Sequence, residues 1–246
     1  MNGYGDFAYL YDGLTGDVEY SRRCDYIENI FARHKLEPEL ICDLACGTGS
    51  VCVEMAGRGY DMIGIDVSTQ MLNVAAEKSE GKNVLYLNQD ICDFELYGTV
   101  DVFTCLLDSI NHLTEDEDLE KLFSLTNNYL NPNGLFIFDV NTKYKFEKIL
   151  SDNIYTYDNG DVFYVWENNY EDRVCDIYVN LFKKGADGYK RTEQSHLERY
   201  YSHRELKSLA KKYGFTVEGI YDELTFNKPQ RKSQREFWVL KKERTL

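Results

Sequence analysis

Ten residues, Leu40-Ile41-Cys42-Asp43-Leu44-Ala45-Cys46-Gly47-Thr48-Gly49, constrain the fold more than any other stretch of the chain. They open as a short apolar run of the kind that forms a fully buried strand. The run breaks into small residues and two glycines, and helical spacing begins at Ser50. A buried strand, a tight turn and a helix N-terminus together aim backbone N–H groups at a ligand. Side chains at Gly47 and Gly49 would hold the backbone away from that ligand. The next strand, Asp61-Met62-Ile63-Gly64-Ile65-Asp66, ends in a carboxylate 17 positions after Gly49. That is close to the ~20-residue offset at which an acid grips a ribose.

Two ligand classes use such a turn. Dinucleotide enzymes carry Gly-x-Gly-x-x-Gly, with the third glycine where helix packs on strand. Here that position is Cys52, and Asp43 would sit poorly beside a pyrophosphate but well beside a cationic ammonium. Asp43-Leu44-Ala45-Cys46-Gly47-Thr48-Gly49 resembles the glycine motif of class I S-adenosylmethionine-dependent methyltransferases, an acid followed by alternating glycines, with Ala45 in the place of the first.

Strands and helices alternate from 40 to 140. Further strands are expected at Asn83–Asp90, Val100–Leu107 and Leu135–Asp139, with helices after Ser50, Ser68 and Thr114, the last in a capping box Thr114-Glu115-Asp116-Glu117. Such alternation implies βαβ units and an α/β, doubly wound, mainly parallel sheet. An amphipathic helix is expected over Asp25–Lys35. From 142 to 201 the pattern changes to three antiparallel strands, Asp161–Tyr170, Arg173–Lys183 and Tyr189–Tyr201, joined by turn residues. We read 142–201 as an insert capping the active site, set in a core of 1–141 and 202–246 whose first 37 residues form a lid. Ser202-His203-Arg204-Glu205 is a second capping box, and Phe215–Tyr221 and Arg235–Lys241 make a closing strand pair. The resemblance implies a Rossmann-like class I methyltransferase fold with one C-terminal antiparallel strand. The Phe7-Ala8-x-x-Tyr11-Asp12-x-Leu14 layout is similar to the N-terminal lid of methyltransferases acting on glycine and on amino sugars.

Ligands of open α/β sheets bind outside the carboxyl ends of the strands. The resemblance implies that S-adenosylmethionine lies there. Asp66 would then bond both ribose hydroxyls, and Val67 and Met71 would pack on adenine. Asp90 and the Ile91 N–H would meet the adenine edge, while Ala45, Cys46, Gly47, Gly49 and Leu106 would line the remaining crevice. Asp43 would lie near the ammonium, and Tyr11 and Tyr20 would face the sulfonium or a substrate ammonium. Methyl transfer needs a base only if the nucleophile arrives protonated. His112, whose ordinary titration range suits such work, and Asp139 are the catalytic candidates.

Composition narrows the partners. The chain has 42 acidic against 28 basic residues, a net charge of −14, whereas proteins that grip nucleic acid usually present a basic face. Its short basic cluster, Lys228–Arg235, reads as a loop. A small-molecule substrate is therefore expected, with a tilt toward an amine. Neither a nucleic-acid nor a membrane partner is expected. No Asn/Asp-Pro-Pro-aromatic motif follows the fourth strand, and no residues show metal-ligand spacing, so no metal is expected. Seven scattered cysteines without a Cys-x-x-Cys pair read as buried thiols of a cytoplasmic protein. A nicotinamide-dependent oxidoreductase and a non-enzymatic cofactor-binding sensor or scaffold stand as rival readings.

Overall fold

The computed structural model describes residues 18–243. Helix α1 (Tyr20–His34) leads into β1 (Leu40–Leu44), α2 (Ser50–Gly57), β2 (Asp61–Asp66), α3 (Thr69–Lys78), β3 (Val84–Asn88) and β4 (Val100–Cys105). A 3-10 turn at Ser109–His112 precedes α4 (Asp116–Tyr129) and β5 (Leu130–Asn141). The insert carries a π-helical turn at Lys145–Leu150, then β6 (Ile154–Asp158), β7 (Val162–Glu171), β8 (Val174–Gly185) and β9 (Gly188–Arg199). The chain returns through α5 (His203–Lys212) to β10 (Phe215–Asp222) and β11 (Arg235–Lys242).

The seven-stranded sheet has the order β10-β11-β5-β4-β1-β2-β3. Strands β1 to β5 are parallel neighbours, and β11 enters antiparallel between β5 and β10. Period-2 alternation divides the strand side chains between two cores. On one face Cys42, Phe136, Phe138 and Trp238 pack with Leu119, Leu122 and Phe123 of α4 and with Leu206 and Ala210 of α5. On the other, Ile41, Leu135, Ile137 and Phe237 pack with Ile27 and Ile30 of α1 and with Val51, Cys52 and Met55 of α2. Helices thus cover both faces, as expected. Burying one such aromatic or aliphatic side chain contributes about 1.5–3 kcal/mol.

The second sheet, β6-β7-β8-β9, is antiparallel throughout. Cys175, Ile177 and Leu181 of β8 are buried on one face, as the alternation indicates, and the first two pack on Phe146 and Leu150 of the π-helical turn. Asp172 and Arg173 both take left-handed φ in the β7–β8 hairpin, the conformation a two-residue turn requires.

Three local expectations need correction. The insert has a fourth strand, β6, whose side chains are mostly exposed and so carry little apolar alternation. Helix α1 starts at Tyr20, five residues earlier than its sequence pattern marks. The Thr114 capping box does not form: Glu115 occupies the N-cap position without a side-chain bond, and the Thr114 carbonyl instead accepts from Arg199 Nη1 at 2.8 Å. Ser202, by contrast, does form its reciprocal box with Glu205, and Ser68 caps α3 by accepting from the Met71 N–H.

Candidate active site

The turn after β1 is built from left-handed backbone. Ala45, Gly47 and Gly49 have φ of 55°, 55° and 70°. A Cβ at Gly47 would meet nothing within 4 Å, so its bare backbone faces the open side of the crevice. Gly49 differs from expectation. A Cβ there would stand 2.4 Å from Tyr86 Oη and 2.9 Å from Ala75 Cβ. The packing of the turn on β3 and α3 therefore requires a glycine here. Gly49→Ala is expected to cost about 1–3 kcal/mol of unfolding free energy through overpacking and the left-handed φ, read from the urea midpoint.

Asp66 holds this turn from the end of β2. Its Oδ2 accepts from the Gly47 N–H at 2.8 Å and its Oδ1 from the Ser68 N–H at 2.8 Å. Burial raises its pKa against these two backbone donors. Asn88, which the sequence reading passed over, ties β3 to the same corner by donating to the carbonyls of Asp66 and Val67, both at 2.9 Å. Val67 itself is 71% exposed, an apolar side chain left at the strand end, while Met71 and Ile91 are buried. Asp90 is exposed, lies two residues beyond β3, and accepts from the Cys92 N–H at 2.8 Å.

Asp43 is buried within β1. Thr104 Oγ1, its ladder neighbour on β4, donates to Oδ1 at 2.6 Å, and the Cys52 thiol lies 3.8 Å from Oδ2. Both partners are neutral, and burial pushes the carboxyl up to about 7. Thr104 carries a signal the sequence reading did not use, a polar residue inside a nearly continuous apolar strand. Asp43, Ala45, Cys46 and Gly47 line one crevice together with Tyr20, Leu106 and His112. Tyr11 and the rest of the expected lid at 1–17 lie outside the described residues.

Asp139 is not placed as a base. It is fully buried at the end of β5, where Oδ2 accepts from the Leu107 N–H at 2.9 Å and Oδ1 from the Asp108 N–H at 2.7 Å. Leu107 and Asp108 both have left-handed φ, a strained pair costing on the order of 1–3 kcal/mol each. Asp139 stabilises that conformation and so aims the 109–112 turn that carries His112. Arg235 contacts Asp139 and, at 2.9 Å, Asp108. The basic cluster expected in the 228–235 loop therefore ends in a buried guanidinium of the site. His112 itself is exposed at the crevice wall. Against the expectation of no metal-ligand group, the fold brings His112 beside His196 and Glu198 of the insert. Linear spacing could not show this, because His112 lies 84 residues before His196.

A seven-stranded sheet with one antiparallel strand, a glycine turn after β1 and an acid after β2 together define a class I methyltransferase architecture. The comparisons agree. Residues 41–134 match the model of a family described as a methyltransferase domain. A protein of Geobacillus sp. (strain WCH70) carrying a methyltransferase name is 30% identical over 97% of this chain and 99% of its own length. The crystal structure of an S-adenosylmethionine-dependent methyltransferase from Clostridium acetobutylicum ATCC 824 is 31% identical, covers 98% of this chain and 99% of its own, and has a TM-score of 0.91. A dTDP-3-amino-3,6-dideoxy-alpha-D-glucopyranose N,N-dimethyltransferase of Streptomyces fradiae is 25% identical over 55% of this chain and 53% of its own length. The chain belongs to the class I S-adenosylmethionine-dependent methyltransferase family. It is an enzyme of that family, and the nicotinamide and scaffold readings are not favoured.

The residues fit the cofactor on two observations. Gly47 leaves open space at the turn, and the buried Asp43 carboxyl faces the crevice with neutral side-chain partners. When bound, S-adenosylmethionine supplies a methyl carbon activated by positive sulfur.

Proposed function

We propose that this enzyme methylates the nitrogen or oxygen of a small molecule by in-line displacement. The convergence of the Asp43–Gly47 turn and His112 on one crevice carries the reading, because it sets a cofactor cradle opposite an acceptor-side imidazole. Asp66 has lone pairs beyond its two backbone bonds for ribose hydroxyls. Val67 and Met71 offer an adenine face, with Asp90 and the Ile91 N–H at its edge. Ala45, Cys46 and Leu106 enclose the methionine portion, Asp43 takes its ammonium, and Tyr20 stands over the positive sulfur side. The insert caps the acceptor end, where Asn111 Nδ2 donates to the Arg199 carbonyl at 2.8 Å and fixes β9 against the His112 turn. Holding the nucleophile in line is worth about 7–11 kcal/mol of the barrier. His112 draws off the nucleophile's proton. The Streptomyces fradiae relative, named for action on an amino sugar, supports a small acceptor and the tilt toward amines. The acidic surface supports a site without nucleic acid, and no helix among the described residues is long and apolar enough to cross a membrane. We place the enzyme in the cytoplasm on its seven free thiols.

Asp43 gives this reading a pH signature. Its folded-state pKa, about 7, lies above the ordinary carboxylate value of 3.8. The unfolded chain therefore releases this proton first, and the residue's contribution to stability falls as pH rises from about 4 to 7. A bound cation favours the ionised form, so cofactor affinity is expected to rise nearly tenfold per pH unit from 5.5 to 6.5. Calorimetry in buffers of differing ionisation enthalpy should show proton release on binding. Asp43→Asn should bind more weakly and without that slope. A wild-type affinity independent of pH would contradict the assigned contact. For turnover, a screen of amine, hydroxyl and carboxylate acceptors that reads formation of the demethylated cofactor tests the substrate class. Failure of every small acceptor alongside tight cofactor binding would overturn it.

A further inference from the structure

Three side chains from two separate parts of the fold meet beside the crevice. His112 comes from the turn after β4, and His196 and Glu198 come from β9, two residues apart and hence on one face of the strand. Each offers one ligand atom, and all three atoms lie within 4.8 Å of one another. His196 Nε2 is 3.7 Å from Glu198 Oε1, and the two imidazole rings are 4.8 Å apart between centroids.

Glu198 is the informative member. Carboxylates are rarely buried without a partner cation, yet this residue is only 5% exposed. Its Oε2 accepts from Asn141 Nδ2 at 2.9 Å, and the same amide donates to Asp108 Oδ2 at 2.7 Å. The carboxylate is thereby fixed in orientation, with Oε1 toward the imidazoles, as carboxylate ligands are commonly held by a neighbouring donor. The backbone N–H of Asn141 is in turn bound by Asn111 Oδ1 at 2.9 Å. The frame beneath the three groups is thus hydrogen-bonded through β5, the His112 turn and β9.

We propose that His112, His196 and Glu198 bind a divalent first-row transition ion at the acceptor end of the crevice. Two imidazoles and one carboxylate suit zinc, cobalt or nickel better than magnesium or calcium, which prefer all-oxygen sites. Ligand bonds of about 2.0–2.2 Å put coordinating atoms roughly 3–3.5 Å apart. A separation of 4.8 Å must close by roughly 1.3–1.8 Å to reach that range, and the two imidazoles, neither of which is buried, are free to turn toward the fixed carboxylate. Three protein ligands leave open positions, the pattern of a catalytic rather than a structural site.

The inference rests on the methyltransferase reading and gives His112 the part of a metal ligand in place of that of a direct base. An acceptor hydroxyl bound at an open position becomes more acidic, and its proton passes to solvent water. The oxygen, which keeps two lone pairs beyond the one shared with the metal, is then the nucleophile. An amine bound there would have its lone pair occupied by the metal. The site thus favours an oxygen acceptor, against the amine tilt of the sequence.

The test uses untagged, EDTA-treated full-length protein titrated with Co2+, read by visible ligand-field absorption, and with Zn2+, read by calorimetry. One ion per chain is expected, with Zn2+ displacing the Co2+ spectrum. His196→Ala and Glu198→Gln should each weaken binding at least tenfold, and so should His112→Asn, an exposed position whose substitution leaves the core intact. Unchanged circular dichroism checks that each variant folds. Absence of binding by the wild-type protein, or equal binding by all three variants, overturns the site. S-Adenosylmethionine titrated into the same metal-free protein separates the two ideas. Its failure to bind would sink the methyltransferase reading, whereas its binding without metal binding would sink only the metal.

Discussion

Arg235→Met is expected to lower the unfolding free energy by about 3–5 kcal/mol, the cost of breaking a buried ion cluster, in which Arg23, 3.9 Å from Asp139 Oδ2 and 2.7 Å from Glu223, is left as the remaining guanidinium. Arg235 is 8% exposed, and its guanidinium reaches Asp139, Asp108 and, at 3.6 Å, Glu223. Burial alone would raise the Asp108 carboxyl, but Arg235, with Lys145 and His112 beyond it, more than offsets this and holds it well below the ordinary range. The sign follows from linkage. A depressed folded-state pKa contributes stability above the unfolded value, near 4, and that contribution is lost on acidification. The variant should therefore lose most at neutral pH and be less sensitive to acid than wild type. It should also lose turnover, because the Leu107–Asp108 conformation depends on Asp139. Guanidinium denaturation at pH 7 and pH 4 checks this. An unchanged midpoint at pH 7 would mean that the ion cluster contributes nothing net.

Asp66→Ala should weaken S-adenosylmethionine binding about 100-fold or more. The carboxylate is expected to act twice, preorganising the glycine turn through the Gly47 N–H and meeting the ribose. Hydrogen bonds to a charged group are worth about 1.5–3 kcal/mol each, so loss of one or two gives an effect of that size. Asp66→Asn, which keeps one acceptor for the turn, should fall between. If calorimetry gave Asp66→Ala the affinity of wild type, with circular dichroism showing both folded, the residue would have no part in cofactor binding.

The core was readable because its signals are local. Strand β1 and its turn, the carboxylate closing β2, the Ser68 and Ser202 caps and the alternation in β8 each declare themselves within a few residues. So did the residues at the strand ends, since the topology of an open parallel sheet gathers them at one edge. What the sequence concealed depends on contacts between distant segments. Asp139 reads locally as an acid at a strand end. Only the chain's return through β11 puts Arg235 beside it and turns it into the support of a strained loop. Gly49 reads as a ligand-facing glycine, and only the position of Tyr86 on β3 shows the steric reason for it. Likewise His112 and His196 have no sequence relation, and the packing of β9 on the 109–112 turn brings them together. Strand β6 was missed for the opposite reason, since an exposed edge strand needs little apolar pattern.

The central claim is tested most directly by calorimetric titration of the wild-type protein with S-adenosylmethionine, its demethylated product and NADH. The two sulfur nucleosides are expected to bind one per chain, and NADH to give no heat of binding. Saturable binding of NADH, with neither sulfur nucleoside bound, would contradict it.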